Sequence, residues 1–291
     1  MFSAIRLVPN TIRNLPWSLG RATPRAFSSQ DNTLNNDVFN FDTFTMKPPK
    51  QLTTEMAEGI GEATQFYVRY GVANQRLKAL SQDFNMPIVT KWQKMMEVFL
   101  VTQVHVIGGM GYTGDESGLT QYASDLAACL QQVDPTMQEL FREVRRDTWR
   151  ELVATCFGLE VNEIPTLSIA DARNVMHKVS TKMIDPETLL AIQTRTAKIE
   201  DSDVEVEVAQ KHQVLQDIIV NRVYLGGSPP LVEETGFGKG AQGYAKLQCA
   251  MSDHEGDPLI AEYASAGMIK IWGAAGLDIN SIHGPGLPAP E

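Results

Sequence analysis

The sequence has little that would anchor catalysis or a metal. Its three cysteines, Cys129, Cys156 and Cys249, are far apart and odd in number, so they exclude a disulfide framework and contain no C-x-x-C pair. Each lies in an apolar helical context and reads as a small buried thiol in a reducing compartment. The five histidines, His105, His177, His212, His254 and His283, show neither H-x-x-H nor H-x-x-x-H spacing, so a zinc site would need ligands from distant parts of the chain. There is no G-x-S-x-G elbow for a serine nucleophile. Asp253-His254-Glu255-Gly256-Asp257 offers oxygen atoms but lacks the length of a calcium loop, and reads as a solvated turn. No uncharged apolar run reaches the roughly 18 to 20 residues needed to span a membrane. The two nearest approaches are interrupted by Gln103 and His105, and by Glu262 and Lys270.

Acid is also missing from one place. No Asp or Glu precedes Asp31, whereas Arg6, Arg13, Arg21 and Arg25 alternate with Phe2, Ile5, Leu7, Ile12 and Leu15. An amphipathic, arginine-bearing, acid-free opening is the composition of a mitochondrial presequence, here residues 1–27, with Arg25-Ala26-Phe27-Ser28 matching an arginine-minus-three cleavage site. A secretory signal would need an unbroken apolar centre, which Arg6, Pro9 and Arg13 prevent. The chain after residue 27 has 21 basic against 35 acidic residues, a net charge of −14. Such a surface repels phosphate backbones and anionic lipid, which disfavours nucleic acid and favours a protein partner with a basic surface.

With 43% hydrophobic and 21% charged residues, the whole chain has an ordinary globular composition. Residues 28–50 form an extended linker arm in which Phe39, Phe41 and Phe44 stand at near-alternate positions, suited to a partner's groove or sheet edge. Leu52, Met56, Ile60, Ala63, Tyr67 and Tyr70, continued by Leu77 and Leu80, keep the stripe of a long amphipathic helix bent at Gly71. Trp92 to Ile107 is the most apolar stretch. Trp92, Met95, Met96, Phe99, Leu100 and Ile107 have helical spacing, while Val101, Val104 and Val106 have the branching of a buried strand. Asp134-Pro135, Asp185-Pro186 and Asp257-Pro258 each supply a cap and a first-turn proline, and Ser168 with Asp171 forms a capping box for a helix through Met183. Asp203 opens a helix through the acidic segment towards Leu225, and Gly226-Gly227-Ser228-Pro229-Pro230 breaks it. Beyond lie short helices around Tyr244 to Met251 and Pro258 to Ala275, the latter rich in small residues, then an extended tail. Eight or nine helices and no convincing sheet make the expected fold all-α: an irregular multi-helix bundle with a main domain at 51–225 and a subdomain with its tail at 226–291.

Two functional readings follow. If Val101 to Ile107 is a strand, Gly109-Met110-Gly111-Tyr112-Thr113-Gly114 is a G-x-G-x-x-G dinucleotide fingerprint, with Asp134 placed for a ribose, and the chain is a nucleotide-binding matrix enzyme. Asp115 and Glu116 oppose it by putting acid where a phosphate would lie. A second match at Gly238, Gly240 and Gly243 has no strand before it. If the stretch is a helix, Phe99-Leu100-Val101-Thr102-Gln103-Val104-His105-Val106 resembles a helix of the ubiquinol–cytochrome c chaperone family, with Phe99, Thr102 and His105 as the matching positions. That resemblance implies a helical, non-enzymatic mitochondrial protein, peripheral to the matrix face of the inner membrane, that assists assembly of cytochrome b into the bc1 complex. A permanent accessory subunit of a respiratory complex or of ATP synthase fits the same features. On this reading no cofactor is expected, and Phe39, Phe41, Phe44, Phe99, Thr102 and His105 meet protein subunits.

Overall fold

Helix starts that the sequence marks with a capping residue are helix starts in the structure, a computed structural model that describes residues 52–200, 203–254 and 256–277. Among the described residues there are eleven α-helices and no strand. The all-α class follows from that, and the regions fall into two compact units that part between Ile164 and Pro165.

In the N-terminal unit, α1 (Thr54–Tyr70) and α2 (Val72–Gln82) are two helices rather than one bent one. Gly71 has an extended ψ of −165° that ends α1, and a Cβ there would lie 2.8 Å from the Tyr67 ring. Asn74 restores a hydrogen bond lost at the break by donating from Nδ2 to the Val68 carbonyl at 2.9 Å. The ambiguous apolar stretch lies wholly in α3 (Ile88–Gly109), which contacts α1, α2, α4 (Glu116–Gln132) and α5 (Pro135–Phe157). Contact on several sides is why its apolar residues follow no single stripe. Along its seam with α5, Trp92 meets Trp149 edge-on at 5.8 Å and Phe157 at 5.8 Å. Beside them the buried Lys91 ammonium stands 5.9 Å from the Phe157 ring centre, and burial pushes the Cys156 thiol up to about 12. Arg69 ties α1 to α5 through Glu151 at 3.0 Å. The α5 helix closes on Gly158 in the left-handed region (φ 65°), where glycine carries no Cβ penalty. A 3₁₀ turn, Val161–Glu163, follows.

The C-terminal unit comprises α6 (Ile169–Met183), α7 (Pro186–Thr196), α8 (Val204–Ile218), a π-helical extension Ile219–Tyr224, α9 (Leu231–Glu234), α10 (Gly240–Ser252) and α11 (Pro258–Ala274). The small residues of α11 do allow close packing: a Cβ on Gly267 would fall 2.8 Å from Met183 Sδ and 3.3 Å from Ser180 Oγ of α6. His212 of α8 stacks 4.6 Å from Trp272, its Nε2 buried without a partner, and burial holds its pKa below the ordinary 6.5. The break at Gly226 to Pro230 lies inside this unit, where α11 returns to pack on α6 and α7 and α9 contacts the π turn. A proline-glycine turn reverses direction whether or not a domain ends there.

Asp257 shows what a cap contributes in a folded context. Its carboxylate accepts from the Ile260 amide at 3.1 Å and takes both arms of Arg173, at 3.0 and 2.6 Å, joining α11 to α6. The Arg173 guanidinium, chiefly, holds that carboxyl down at about 2, below its ordinary 3.8. A depressed acid stabilises the fold in full above the unfolded value and loses that contribution as pH falls through the folded one. The urea midpoint of wild type should therefore exceed that of Asp257→Asn above pH ~4, with the gap narrowing between pH ~4 and ~2. A gap that stays constant over that window would refute the ion pair as its source.

Candidate protein-docking surface

At 100° per residue, Glu55, Glu58, Glu62, Phe66 and Tyr70 of α1 fall within an arc of about 120°. The opposite side of the helix carries the buried Ala57, Ile60, Thr64 and Val68. The arc therefore points away from the core of its own unit. Phe66 is 54% exposed and Tyr70 72% exposed, and their rings contact one another at 5.5 Å. Phe66 also meets Tyr67 at 6.0 Å, and Tyr67 meets His105 of α3 edge-on at 5.4 Å. Four rings from two helices thus form one continuous chain that starts half-buried and ends in solvent. Burial lowers the His105 pKa from 6.5, which favours the neutral imidazole. Burial raises the pKa of Tyr67.

The first half of the same arc is acidic. Among the described residues, none of Glu55, Glu58 and Glu62 forms an ion pair. The Glu55 carboxyl is held below its ordinary value by its own backbone amide and by the Thr53 hydroxyl. A third exposed ring, Phe84, stands 91% exposed on the turn after α2, where Asp83 Oδ1 accepts from the amides of Asn85 and Met86 at 3.1 Å each.

The residues expected from the sequence are distributed unevenly. His105 joins the ring chain. Phe99 packs its half-buried ring on Trp149 of α5 at 6.4 Å, some 120° round α3 from His105. Thr102 is buried, and its hydroxyl donates to the Val98 carbonyl at 2.7 Å. Phe39, Phe41 and Phe44 lie outside the described residues. Phe66 joins the ring chain from outside the apolar stripe, and Tyr70, a member of that stripe by spacing, stands exposed. The available signal was an aromatic residue left over on the polar face, one turn after Glu62 and one turn before Tyr70.

The glycine loop is already filled. Val101 to Ile107 is helical, so the G-x-G-x-x-G run has no strand before it. Asp115 caps α4: its Oδ1 accepts from the Gly118 amide at 3.0 Å, Ser117 Oγ at 2.6 Å and Thr113 Oγ1 at 2.9 Å. That carboxylate takes the position a phosphate would need, and those three hydrogen bonds, Ser117 foremost, lower its pKa. Alongside lies an open groove of about 740 Å³ lined by Asp115, Ser117, Thr120, Gln121, Ser124 and Asp125.

Among the described residues no helix is long and apolar enough to cross a membrane, and no three His, Cys, Asp or Glu side chains gather to hold a metal ion. No family model matches the chain, and no curated protein or solved structure matches it either.

Proposed function

We propose that this chain is a mitochondrial matrix-side protein that works by docking and not by catalysis, as an accessory subunit of, or assembly chaperone for, an inner-membrane complex of oxidative phosphorylation such as bc1 or ATP synthase. The observation that carries the docking reading is the outward face of α1, where Phe66 and Tyr70 leave large apolar area in water. Removing apolar surface from water is favourable by about 25 cal/mol per Å², and exposed aromatics are the side chains from which interface hot spots are made. The arginine-bearing, acid-free residues 1–27 support the compartment. The acidic charge of the remainder supports a basic protein partner and disfavours nucleic acid. Attachment is peripheral on this reading, through protein subunits.

Mass spectrometry of native-gel slices from mitochondria tests it. Co-migration in fixed ratio with a mature complex means an accessory subunit, and enrichment with subassemblies means a chaperone. Migration alone, near its own mass, overturns the proposal, as does failure of the full chain to enter isolated, energised mitochondria.

A further inference from the structure

We infer that the outward face of α1 docks an amphipathic helix of a partner protein, one that carries lysine or arginine along half of its contact stripe and leucine, methionine or phenylalanine along the other half. The inference rests on the docking reading above and specifies the chemistry of the partner. Glu55, Glu58 and Glu62 occupy the first two turns of the arc and Phe66 and Tyr70 the next two, so charge and apolar surface follow one another along a single line. At 1.5 Å per residue the Glu55 to Tyr70 stripe spans about 22 Å, the contact length of four turns of a second helix. Arg69, which falls within the same arc near its far end, does not neutralise the acids, because its guanidinium is held by Glu151 at 3.0 Å. Three carboxylates without an ion pair among the described residues therefore face outward beside two exposed rings.

A second copy of this chain does not fit that pattern. Parallel pairing sets carboxylates against carboxylates, and antiparallel pairing sets them against aromatic rings, so neither arrangement supplies a cation beyond Arg69, which Glu151 already holds. The chain's own residues 1–27 have complementary charge in Arg6, Arg13, Arg21 and Arg25, but their sequence carries Pro9, Pro16 and Pro24, and proline is disfavoured inside a helix. A partner helix supplies both halves without conflict.

Two fluorescent synthetic peptides of about 17 residues test this, each with three lysines on one face of one half and two leucines on the same face of the other, in the two opposite orders so that parallel and antiparallel docking are both sampled. Fluorescence anisotropy should show one of them binding the full chain. Phe66→Ala/Tyr70→Ala and Glu58→Lys/Glu62→Lys should each weaken that binding by about tenfold or more, and added salt should weaken it as well. The charge-reversed protein should instead bind the peptide whose lysines are replaced by glutamate. All four substitutions are at half-buried or exposed positions, and an unchanged circular dichroism spectrum separates lost binding from lost folding. The inference is overturned if neither peptide binds at about 1 mM, or if the glutamate peptide binds wild type equally well. Binding to a chain starting at Ser28 but not to the full chain assigns the face to residues 1–27 and also overturns it. So does a dimer that Phe66→Ala/Tyr70→Ala dissociates. None of these results alters co-migration on native gels, so failure here is distinct from failure of the docking reading itself.

Discussion

Leu152→Ala should remove about 3 to 5 kcal/mol of stability from the N-terminal unit. Leu152 is fully buried in α5, beside the equally buried Val153 and Cys156, where α5 packs on α1, α2 and α3. Truncation forfeits the transfer free energy of the lost methyl and methylene groups and leaves a void that three surrounding helices cannot collapse to fill. Domains of this size are stable by about 5 to 15 kcal/mol, so the change takes a large fraction of the total. Urea titration followed by tryptophan fluorescence reads it directly, since Trp92 and Trp149 lie on the adjoining seam. The control is Leu140→Ala on the same helix, where 39% exposure leaves little to lose. Equal effects from the two would mean that α5 is not packed as described. Because α5 supports α1 from behind, Leu152→Ala should also weaken whatever binds the aromatic face, without touching it.

The second large effect is expected from one methyl group. Gly243→Ala should destabilise the C-terminal unit by about 3 kcal/mol. A Cβ on Gly243 would fall 2.4 Å from the Gly238 carbonyl oxygen and 2.7 Å from its carbon. Those are backbone atoms, so the chain must move and no side chain can swing aside. The turn that would have to move depends on Gly238 at φ 94° and Gly240 at φ 58°, both in the left-handed region. Gly273→Ala makes the comparison: nothing lies within 4 Å of its Cβ position, it sits exposed in α11, and the exchange should stabilise by about 0.5 to 1 kcal/mol. A neutral Gly243→Ala would show that the turn yields easily. The same pair explains why Gly238, Gly240 and Gly243 imitate a phosphate-binding motif, since their spacing is set by a tight turn into α10.

Local chemistry carried most of the fold. Asp134, Asp185 and Asp257 cap helices with proline at the first turn, and Ser168 accepts from the Asp171 amide at 3.1 Å, all from contacts within three residues. Such signals are readable because both partners lie in one short segment. Trp92 to Ile107 resisted assignment because neighbours on several sides erase periodicity. Register along α1 failed for a related reason. The core side uses Ala57, Ile60, Thr64 and Val68, with no aromatic among them, and α5 comes close: a Cβ on Gly61 would stand 3.2 Å from Val144. Thr64 looks polar in sequence, but its hydroxyl is satisfied by the Ile60 carbonyl at 2.8 Å, so burial costs little. Size and apolarity alone put Tyr70 with the core, whereas it stands in solvent. The boundary at Ile164 was hidden because it depends on contacts between distant helices, whereas Gly226 to Pro230 advertises a turn. The π-helical end of α8 left no sequence mark at all.

The three thiols make each unit report on itself. Cys129 and Cys156 are buried in the N-terminal unit and Cys249 in the C-terminal one. An alkylating reagent reaches a buried sulfur only when its surroundings open, so the rate of alkylation in the native state measures the free energy of that opening. Peptide mapping of the labelled sites then follows two opening reactions in one tube. The wild-type chain, without any added probe, is in this sense its own pair of clocks.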